Sequence, residues 1–306
     1  MIPMLKHCTF CLFLFCLLSI ASTDAQTNVG LKTVDIDGEK VIDQNRIEGL
    51  AYQVLNAETD QKKDSLNTVL KEILKVELSK TSAFHTAFDK VTSISILTPE
   101  DSAFRMFNWN IPYSEGNFSF ECGILLPQED LIYLDNSKEA EVIADSLQSW
   151  IPALYYSLIP KQTKFTTYYT LLGWKGNNRL TTKKVIDVLW LSNNGKVKFS
   201  APIFHSQKVK RDRVVFEFAA QNAMKLTYNS KFDRIEFDHL SPPKQSLTGV
   251  YEYYGPDLSF DAYHWESEAW VLKEDIDLDQ GLKKKKAEFE IGKENLLEER
   301  PIYQPK

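Results

Sequence analysis

Residues 168–200 read YYTLLGWKGNNRLTTKKVIDVLWLSNNGKVKFS. A glycine- and asparagine-rich segment separates two apolar runs, and Asn194-Gly195 separates the second run from a third, KVKFS. Asn-Gly between two apolar runs is the strongest short signal for a β-hairpin, because both turn residues must take positive φ. The stretch therefore predicts strand, turn, strand, turn and strand, with KGNN as the first turn.

The glycines of this stretch do not form a nucleotide-binding loop. A P-loop needs four residues between its glycines, followed by Lys and then Ser or Thr. Gly173 and Gly176 are only three positions apart, and Asn177 follows the second glycine. Arg179 stands where a dinucleotide-binding fingerprint would have its third glycine. The segment therefore predicts a turn rather than a phosphate cradle.

Segments of the same kind lie on both sides of this stretch. From residue 91 onward, apolar residues alternate or form short aromatic and β-branched runs between turn residues. Many short strands at spacings of about ten residues are typical of a barrel, a sandwich or a propeller-like stack. We expect a mainly β fold, an antiparallel meander. Its predicted strands are VTSISIL, AFRMFNW, NFSFECGILL, LIYL, LYYSLI, KFTTYYTLLGW, VIDVLWL, KVKFS, RVVFEFA, AMKLTYN, DRIEFDH, VYEYYG, LSFDAYHW and AWVL.

Two amphipathic helices are predicted before the strands. Apolar residues recur at helical spacing at positions 47, 50, 51, 54 and 55, and again at 66, 69, 70, 73 and 74. We expect Asp43 to cap the first helix and Asp64 or Ser65 to cap the second. Joined by the polar segment AETDQKKD, the two form a predicted helical hairpin. A further helix is expected over residues 137–150.

Residues 1–25 have the features of a secretory signal peptide. A weakly basic start precedes the apolar run CTFCLFLFCLLSI, and Thr23 and Ala25 are small residues at the −3 and −1 positions of a cleavage site. The run is shorter than the roughly 20 residues that span a bilayer. We expect export to the periplasm or the exterior with cleavage near Ala25; an uncleaved membrane anchor is the alternative.

Composition excludes several classes of function. The net charge of −6 disfavours nucleic-acid binding, which relies on clustered Lys and Arg. Three of the four cysteines lie in the predicted signal, so an exported chain with Cys122 alone cannot form an internal disulfide. No segment after the signal is apolar enough to cross a membrane. The predicted organisation is a signal peptide at 1–25, a helical region at 26–90, a β-rich domain at 91–280 and a charged tail at 281–306.

Histidines and carboxylates supply one candidate site. Asp238, His239, Asp257, Asp261 and His264 could meet in space as an acid–base or metal cluster. The chain has neither an H-E-x-x-H motif for a helix-borne zinc nor a G-x-S-x-G nucleophile elbow. A metal-dependent or acid/base hydrolase that uses this cluster is therefore the alternative function.

Trp174, with Asn177 and Arg179 in the turn beyond it, supplies a second candidate site. Aromatic residues make up 12% of the chain. An exposed tryptophan on a β surface can stack on a sugar ring or seat a peptide. Aromatic residues at strand spacing more often belong to a core, so the exposure of Trp174 distinguishes the two interpretations.

Acidic residues near the C-terminus raise the question of calcium. Asp275, Asp277 and Asp279 would project from one side if EDIDLDQG were a strand, and carboxylate oxygens are calcium ligands. The glycine is one position too late for an EF-hand, and Lys286 stands where its glutamate belongs. We therefore favour a solvent-facing acidic edge and expect no cofactor.

The segments FRMFNWN, YYTLLGWKGNN, KKVIDVL, FDHLSP and YYGPDLSFD, in that order, resemble a family of exported bacterial proteins of unknown function. The resemblance covers about residues 91–279. It implies export and one continuous β-rich unit, and it provides no catalytic residue. The expected function is a binding or structural module of the cell envelope, with a glycan, a peptide or an envelope protein as its partner.

Overall fold

The computed structural model describes residues 41–134, 150–207 and 209–278. The chain divides into two units, Met1–Lys40 and Val41–Lys306, and every described residue belongs to the second. The predicted signal peptide, the charged tail and all but the last residue of the predicted helix over 137–150 lie outside the described residues.

Two helices open the described part of the chain and form the predicted hairpin. They are α1, Gln44–Asn56, and α2, Asp60–Leu78. The buried residues of α1 keep the expected spacing, at positions 47, 51 and 54. In α2 the buried stripe includes positions 67, 70, 74 and 78, whereas Val69 is 46% exposed. The face of α2 that meets the protein is therefore rotated from the predicted one.

Side-chain caps set where the two helices begin. Asp43 caps α1 as expected, since its Oδ1 accepts a hydrogen bond from the backbone N–H of Arg46 at 3.0 Å. The predicted cap of α2 at Asp64 or Ser65 is wrong. The hydroxyl of Thr59 accepts from a backbone N–H at 3.3 Å, so α2 begins about one turn earlier. Of the helices among the described residues, none is long and apolar enough to span a bilayer.

The described residues after α2 form short strands nearly everywhere that the sequence predicts them. The segment VYEYYG is the exception, because Tyr251–Tyr253 is a turn of 3-10 helix. The strands are β1 Ser95–Leu97, β2 Arg105–Pro112, β3 Phe118–Leu125, β4 Ile132–Tyr133, β5 Leu154–Gln162, β6 Thr167–Gly176, β7 Thr181–Leu191, β8 Val197–Phe199, β9 Phe204–His205, β10 Lys210–Arg211, β11 Val214–Ala219, β12 Leu226–Asn229, β13 Arg234–Ser241, β14 Gly255–Glu266 and β15 Ala269–Lys273.

The strands form three sheets with mostly antiparallel neighbours. The first sheet has the order β1-β2-β3-β4, and the second has the order β11-β7-β6-β5 with β8 paired to β7. The third has the order β10-β9-β15-β14-β13-β12, in which β15 and β9 run parallel. Most neighbours within a sheet are consecutive in the chain. The predicted mainly β, antiparallel fold with an N-terminal helical hairpin is therefore confirmed.

Three apolar cores hold the helices and sheets together. The helices pack on one face of the first sheet, around Phe107 and Trp109. The opposite face, around Phe104 and Phe120, packs against the second sheet. The other face of the second sheet packs against the third sheet, around Phe237. Helices and sheets are thus stacked in layers, each burying its apolar face against the next.

Residues 168–200 lie in the central, second sheet. Neighbouring residues of β7 enter different cores, with Val185 facing the first sheet and Ile186 and Val188 facing the third. Because both faces of β7 are buried, its sequence is a nearly continuous apolar run rather than an alternating one.

The Asn-Gly hairpin joins β7 to β8, but with a different turn from the predicted one. The N–H of Gly195 donates to the carbonyl of Ser192 at 2.8 Å. Gly195 has a φ of 76°, and Asn194 does not take positive φ. The loop is therefore a type I turn followed by a left-handed glycine. The β2–β3 hairpin uses its glycine in the same way, with Gly116 at a φ of 76°.

Candidate functional site

The residues of the two candidate sites occupy two separate places in the fold. The first place is the turn between β6 and β7, which we call the Trp174 corner and which consists of Trp174, Asn177 and Arg179. The second place joins the end of β13 to the start of β14, and we call it the Leu258 end; it consists of His239, Asp257, Leu258 and Asp261.

Trp174 packs into the protein rather than into solvent. Its ring lies edge-on to Phe118, with ring centroids 5.0 Å apart, and also contacts Phe120. Its indole Nε1 donates a hydrogen bond to the Thr182 hydroxyl at 2.9 Å. Both ends of the side chain are therefore used within the fold, and Trp174 does not offer an open stacking surface.

Asn177 also forms its hydrogen bonds within the fold. Its amide nitrogen donates to the Thr181 hydroxyl at 2.7 Å and to a carboxylate oxygen of Glu217 at 3.2 Å. Thr181 itself donates to the same oxygen of Glu217 at 2.7 Å. This network ties the turn to the neighbouring strand β11, which is a structural role.

Arg179 joins two hairpin turns. Its Nε donates to the carbonyl of Glu115 at 2.8 Å, and its side chain lies against Gly116. A shallow cavity of about 430 Å³ beside it is lined by exposed turn residues. The Trp174 corner therefore closes one corner of the sheet, and its contacts favour the core interpretation of Trp174 over the ligand platform.

The Leu258 end is built by a β-bulge. Asp238 on β13 pairs with Phe260 on β14, but Leu240, two residues on, pairs with Pro256. One residue of β13, His239, therefore faces residues 257–259 of β14. Leu258 sits in the middle of the bulge with a left-handed φ of 74°. His239 is two positions from Phe237, which pairs with Asp261, so strand alternation places His239 on the face that carries Asp261, and the bulge sets residues 257–259 opposite it.

His239 is bonded on one ring nitrogen and open on the other. Its Nδ1 lies 2.8 Å from Oδ2 of Asp261, and since a carboxylate only accepts, Nδ1 carries the proton. Its Nε2 lies 4.0 Å from Oδ2 of Asp257. The hydrogen bond to Asp261, and then the charges of Asp261 and Asp257, raise the pKa of His239 against the effect of burial. The imidazole is therefore held ready to carry a positive charge, with 43% of its side chain exposed.

Local hydrogen bonds hold the carboxylates of this end in place. Oδ1 of Asp257 accepts from the backbone N–H of Ser259 at 3.1 Å and from its hydroxyl at 2.7 Å. These bonds, with a further one from Ser241, lower the pKa of Asp257. Oδ1 of Asp261 accepts from the backbone N–H of Asp275 at 3.0 Å. Both groups flanking His239 are thus ordered without any contact from outside the chain.

Two predicted members of the cluster lie elsewhere. Asp238 and His264 are separated from Asp261 by an odd number of strand positions in the β13–β14 register, so they face the other side of the sheet. Asp238 instead accepts a backbone hydrogen bond from Lys225 at 2.6 Å. Burial and the nearby cations Lys273 and Arg234 lower the pKa of His264. The predicted five-residue cluster is therefore wrong for these two residues.

Leu258 is the residue of this end that was not predicted from the sequence. Its side chain is 90% exposed. The segment Asp-Leu-Ser contains an Asp two residues before a Ser, and such an Asp can accept from the backbone in a turn. That signal would have indicated a turn, but nothing in it indicates that leucine takes the left-handed conformation.

The possible calcium ligands do not form a strand edge. Strand β15 ends at Lys273, and Asp275 takes a left-handed φ of 54°, which breaks the alternation that the prediction requires. Asp279 lies outside the described residues. Among residues 41–134, 150–207 and 209–278, no group of three or more His, Cys, Asp or Glu is arranged to hold a metal ion.

A large cavity lies away from both places. It has a volume of about 1020 Å³ and lies between the end of α2 and the connection from β3 to β4. Its wall mixes apolar residues such as Leu78 and Leu125 with polar ones such as His85 and Glu129. None of the predicted site residues lines it.

Comparison with known proteins provides no relative. No protein-family model, no curated protein and no solved structure matches this chain. Any function must therefore be argued from the geometry of the two places.

Proposed function

We propose that this protein is an exported binding module of the bacterial cell envelope that recognises a macromolecular partner through the Leu258 end. The observation that carries the proposal is Leu258 itself, whose side chain is 90% exposed on a backbone with a φ of 74°. Left-handed backbone costs a residue with a Cβ roughly 1–2 kcal/mol. Packing within the chain offsets none of this cost, whereas a partner that covers the side chain would offset it.

Neighbouring residues support binding at this end. Tyr251 and Tyr253, in the 3-10 turn that leads into β14, are 46% and 48% exposed. Tyrosine is enriched in protein interfaces because it offers a large rigid surface with a polar tip. His239 and Asp257 add polar groups that are already oriented. An apolar residue, two tyrosines and a charged pair are the elements of a recognition surface.

The hydrogen bonds of the site favour binding over nucleophilic catalysis. A catalytic hydroxyl or thiol must lie within hydrogen-bond reach of its base. The Ser259 hydroxyl donates to Asp257, and in the described residues the hydrogen bond of His239 is to Asp261. The Cys122 thiol is fully buried in another core, where burial raises its pKa.

Export rests on the signal-like residues 1–25 and on the resemblance to exported proteins. The test is expression of the full chain in a bacterial host, fractionation and N-terminal sequencing. We expect an exported form that begins at Gln26. A chain that stays in the cytoplasm with Met1 or Ile2 at its N-terminus would contradict export.

The binding role is tested by retention on washed cell envelopes. We expect Leu258→Lys to lower the retained fraction several-fold, since hot-spot residues in interfaces contribute about 2 kcal/mol or more. Val76→Glu is the matched control, because Val76 is a 59% exposed apolar residue on α2, remote in sequence from this end. Equal retention of the two variants and the unaltered chain would contradict the proposed role.

The pairing of His239 with Asp261 favours one second candidate, acid/base hydrolysis. A carboxylate on Nδ1 orients an imidazole and raises its basicity, which leaves Nε2 as a proton acceptor. The test is turnover of ester, glycoside and peptide substrates by the unaltered chain and by His239→Gln. Turnover that the variant loses would support hydrolysis, and a rate equal to that of the variant would remove it.

A further inference from the structure

We propose that the partner of the Leu258 end is a second copy of the same chain, which docks the tip of its β5–β6 hairpin there. The tip consists of Lys164 and Phe165, and we call it the Phe165 tip. This inference rests on the proposed binding role of the Leu258 end. It also accounts for an exposed residue at the opposite end of the molecule.

Leu258 and Phe165 are the two most exposed large apolar side chains of the described residues. They are 90% and 84% exposed, whereas the next, Tyr52, is 60% exposed. Single exposed apolar residues are common on protein surfaces. Phe165 stands at a hairpin tip and Leu258 in a bulge, and both have almost no packing. A contact between them would bury both side chains.

The two residues lie at opposite ends of the third sheet. Leu258 is near the start of β14, and the turn after β14 contains Glu268. Glu268 accepts a hydrogen bond from the backbone N–H of Lys164 at 2.7 Å, which fixes the Phe165 tip at that far end. The part of β14 from Leu258 to Glu266 spans eight residue steps, which at about 3.3 Å per residue separates the ends by roughly 26 Å. One molecule therefore cannot bring Leu258 onto its own Phe165.

Contacts within the chain hold the backbone of the Phe165 tip in place. Within the turn, the N–H of Thr163 donates to the carbonyl of Thr166 at 2.9 Å. At its base, Lys161 forms an ion pair with Asp233. The Lys161 ammonium also lies 5.1 Å from the ring centroid of Trp270, with Tyr228 and Trp265 nearby. A protruding side chain on a fixed hairpin loses little entropy when it binds.

The charges of the two ends are complementary. At the end with the Phe165 tip, Lys164 is exposed, and so is Lys231 in the turn that hydrogen-bonds to β14 at Trp265. Glu268 is also exposed there, whereas the carboxylate of Glu266 is paired with Lys273, so among the described residues of this end the lysines without an ion pair outnumber the carboxylate without one. At the Leu258 end, Asp257, Glu274 and Asp275 are exposed. Opposite charge at the two ends favours contact of unlike ends and disfavours contact of like ends.

Contact between unlike ends gives a head-to-tail assembly. Each copy keeps one free Leu258 end and one free Phe165 tip, so the contact generates open chains or closed rings rather than a two-fold dimer. This distinguishes the inference from ordinary dimerisation and provides its test.

The test is sedimentation of the chain without residues 1–25, of two variants and of their mixture. Phe165→Glu disables the Phe165 tip and keeps the Leu258 end intact. Leu258→Lys disables the Leu258 end and keeps the Phe165 tip intact. As its concentration rises, the unaltered chain should form assemblies larger than a dimer. Each variant alone should have an association constant at least about tenfold lower than that of the unaltered chain. A 1:1 mixture should form dimers and nothing larger, because each variant retains one competent end.

Val76→Glu serves as the control and should assemble like the unaltered chain, and thermal melting of each variant checks that it is folded. Association of the unaltered chain should weaken as salt increases, since exposed charges are screened. An unaltered chain that stays monomeric at its highest soluble concentration would overturn the inference. So would variants that assemble normally or a mixture that forms no dimer.

The failure of this inference is distinguishable from failure of the proposed function. If the chain is monomeric and Leu258→Lys still loses envelope retention, the Leu258 end binds a different partner. If Leu258→Lys lowers neither the mass of the assemblies nor the fraction retained on envelopes, the binding role of the Leu258 end fails as well.

Discussion

The Trp174 corner and the Leu258 end both lie at the margin of a sheet, and both combine a large side chain with polar neighbours. At the corner the indole N–H of Trp174 and the amide nitrogen of Asn177 have partners within the chain. At the Leu258 end Nε2 of His239 lies 4.0 Å from Oδ2 of Asp257, beyond hydrogen-bond distance, and Leu258 has almost no packing. The two sites are similar in composition. They differ in whether their side chains are packed and hydrogen-bonded within the chain.

Free contact area and free hydrogen-bonding groups separate a recognition surface from a structural corner. Aromatic and amide side chains near a glycine turn are typical of binding loops and also of sheet corners. The discriminating observations are unused contact area and unused hydrogen-bonding capacity. By both measures the Leu258 end is the better candidate for a recognition surface, and the Trp174 corner is structural.

Trp174→Ala should cost the most stability. The substitution removes ring contacts with Phe118 and Phe120 and one hydrogen bond, and we expect a loss of about 3 kcal/mol in the free energy of unfolding. Urea denaturation measures this loss. Arg179→Ala, at an exposed position of the same corner, should change stability by less than about 1 kcal/mol. Equal small effects of the two variants would show that the corner is not structural.

Gly176→Ala should destabilise the same corner by about 1–3 kcal/mol, because overpacking forces side chains from their rotamers. A Cβ at this position would lie 2.2 Å from a ring carbon of Phe118. Gly49→Ala on α1 is the matched control. Apart from its chain neighbours and the backbone of its own helix, no atom lies within 4 Å of the position that its Cβ would take. In a helix that change should stabilise by roughly 0.5–1 kcal/mol. Thermal melting of both variants should therefore shift in opposite directions.

Leu258→Asn should stabilise the protein while weakening its binding. Asparagine tolerates the left-handed conformation better than leucine, and we expect a gain of about 0.5–1 kcal/mol. Leu180→Asn is the control, because Leu180 is 59% exposed without a positive φ. Denaturation and envelope retention are measured on both. A Leu258 variant that binds normally would place recognition elsewhere.

The pH dependence of stability should carry a small signature of His239. Its raised pKa means that protonation stabilises the folded chain, fully below the unfolded-state pKa of about 6.5, with loss as pH rises through the folded-state value. Since the side chain is partly exposed, we expect less than about 1 kcal/mol. His239→Gln should remove this slope in melting temperature against pH.

His264 provides the opposite sign. Burial lowers its pKa, so its contribution is present above the unfolded-state pKa of about 6.5 and is lost as pH falls from there through the lower folded-state value. Melting temperatures of His264→Gln and the unaltered chain should therefore be compared over the same pH series. Their difference should change with pH in the opposite direction to the difference between His239→Gln and the unaltered chain. Matching trends for the two variants would contradict the separate environments of the two histidines.

Much of the fold could be predicted from local patterns. The apolar runs of β6 and β7 and the Asn-Gly turn indicated a hairpin, and the helical spacing before residue 80 indicated two helices. The layer order could not be predicted, because it depends on which face of each sheet meets which neighbour. The error at Tyr251–Tyr253 arose because aromatic residues are typical of strands and also of exposed turns.

The candidate site could be predicted only in part. Residue types alone brought His239, Asp257 and Asp261 into consideration, and strand alternation would have excluded His264, which is three positions from Asp261. The bulge that places residues 257–259 opposite His239 could not be predicted, because it depends on the pairing register of β13 and β14. The conformation of Leu258 follows from the same register and was missed with it.

The most direct test of the comparison is photocrosslinking from one position in each place. A photoreactive amino acid is introduced at Leu258 or at Arg179, both of which are exposed, and cells that express the full chain are irradiated. We predict covalent adducts from position 258, including one at twice the mass of the chain, and background labelling from position 179. Adducts from position 179 with none from position 258 would contradict the assignment of the Leu258 end as the binding surface.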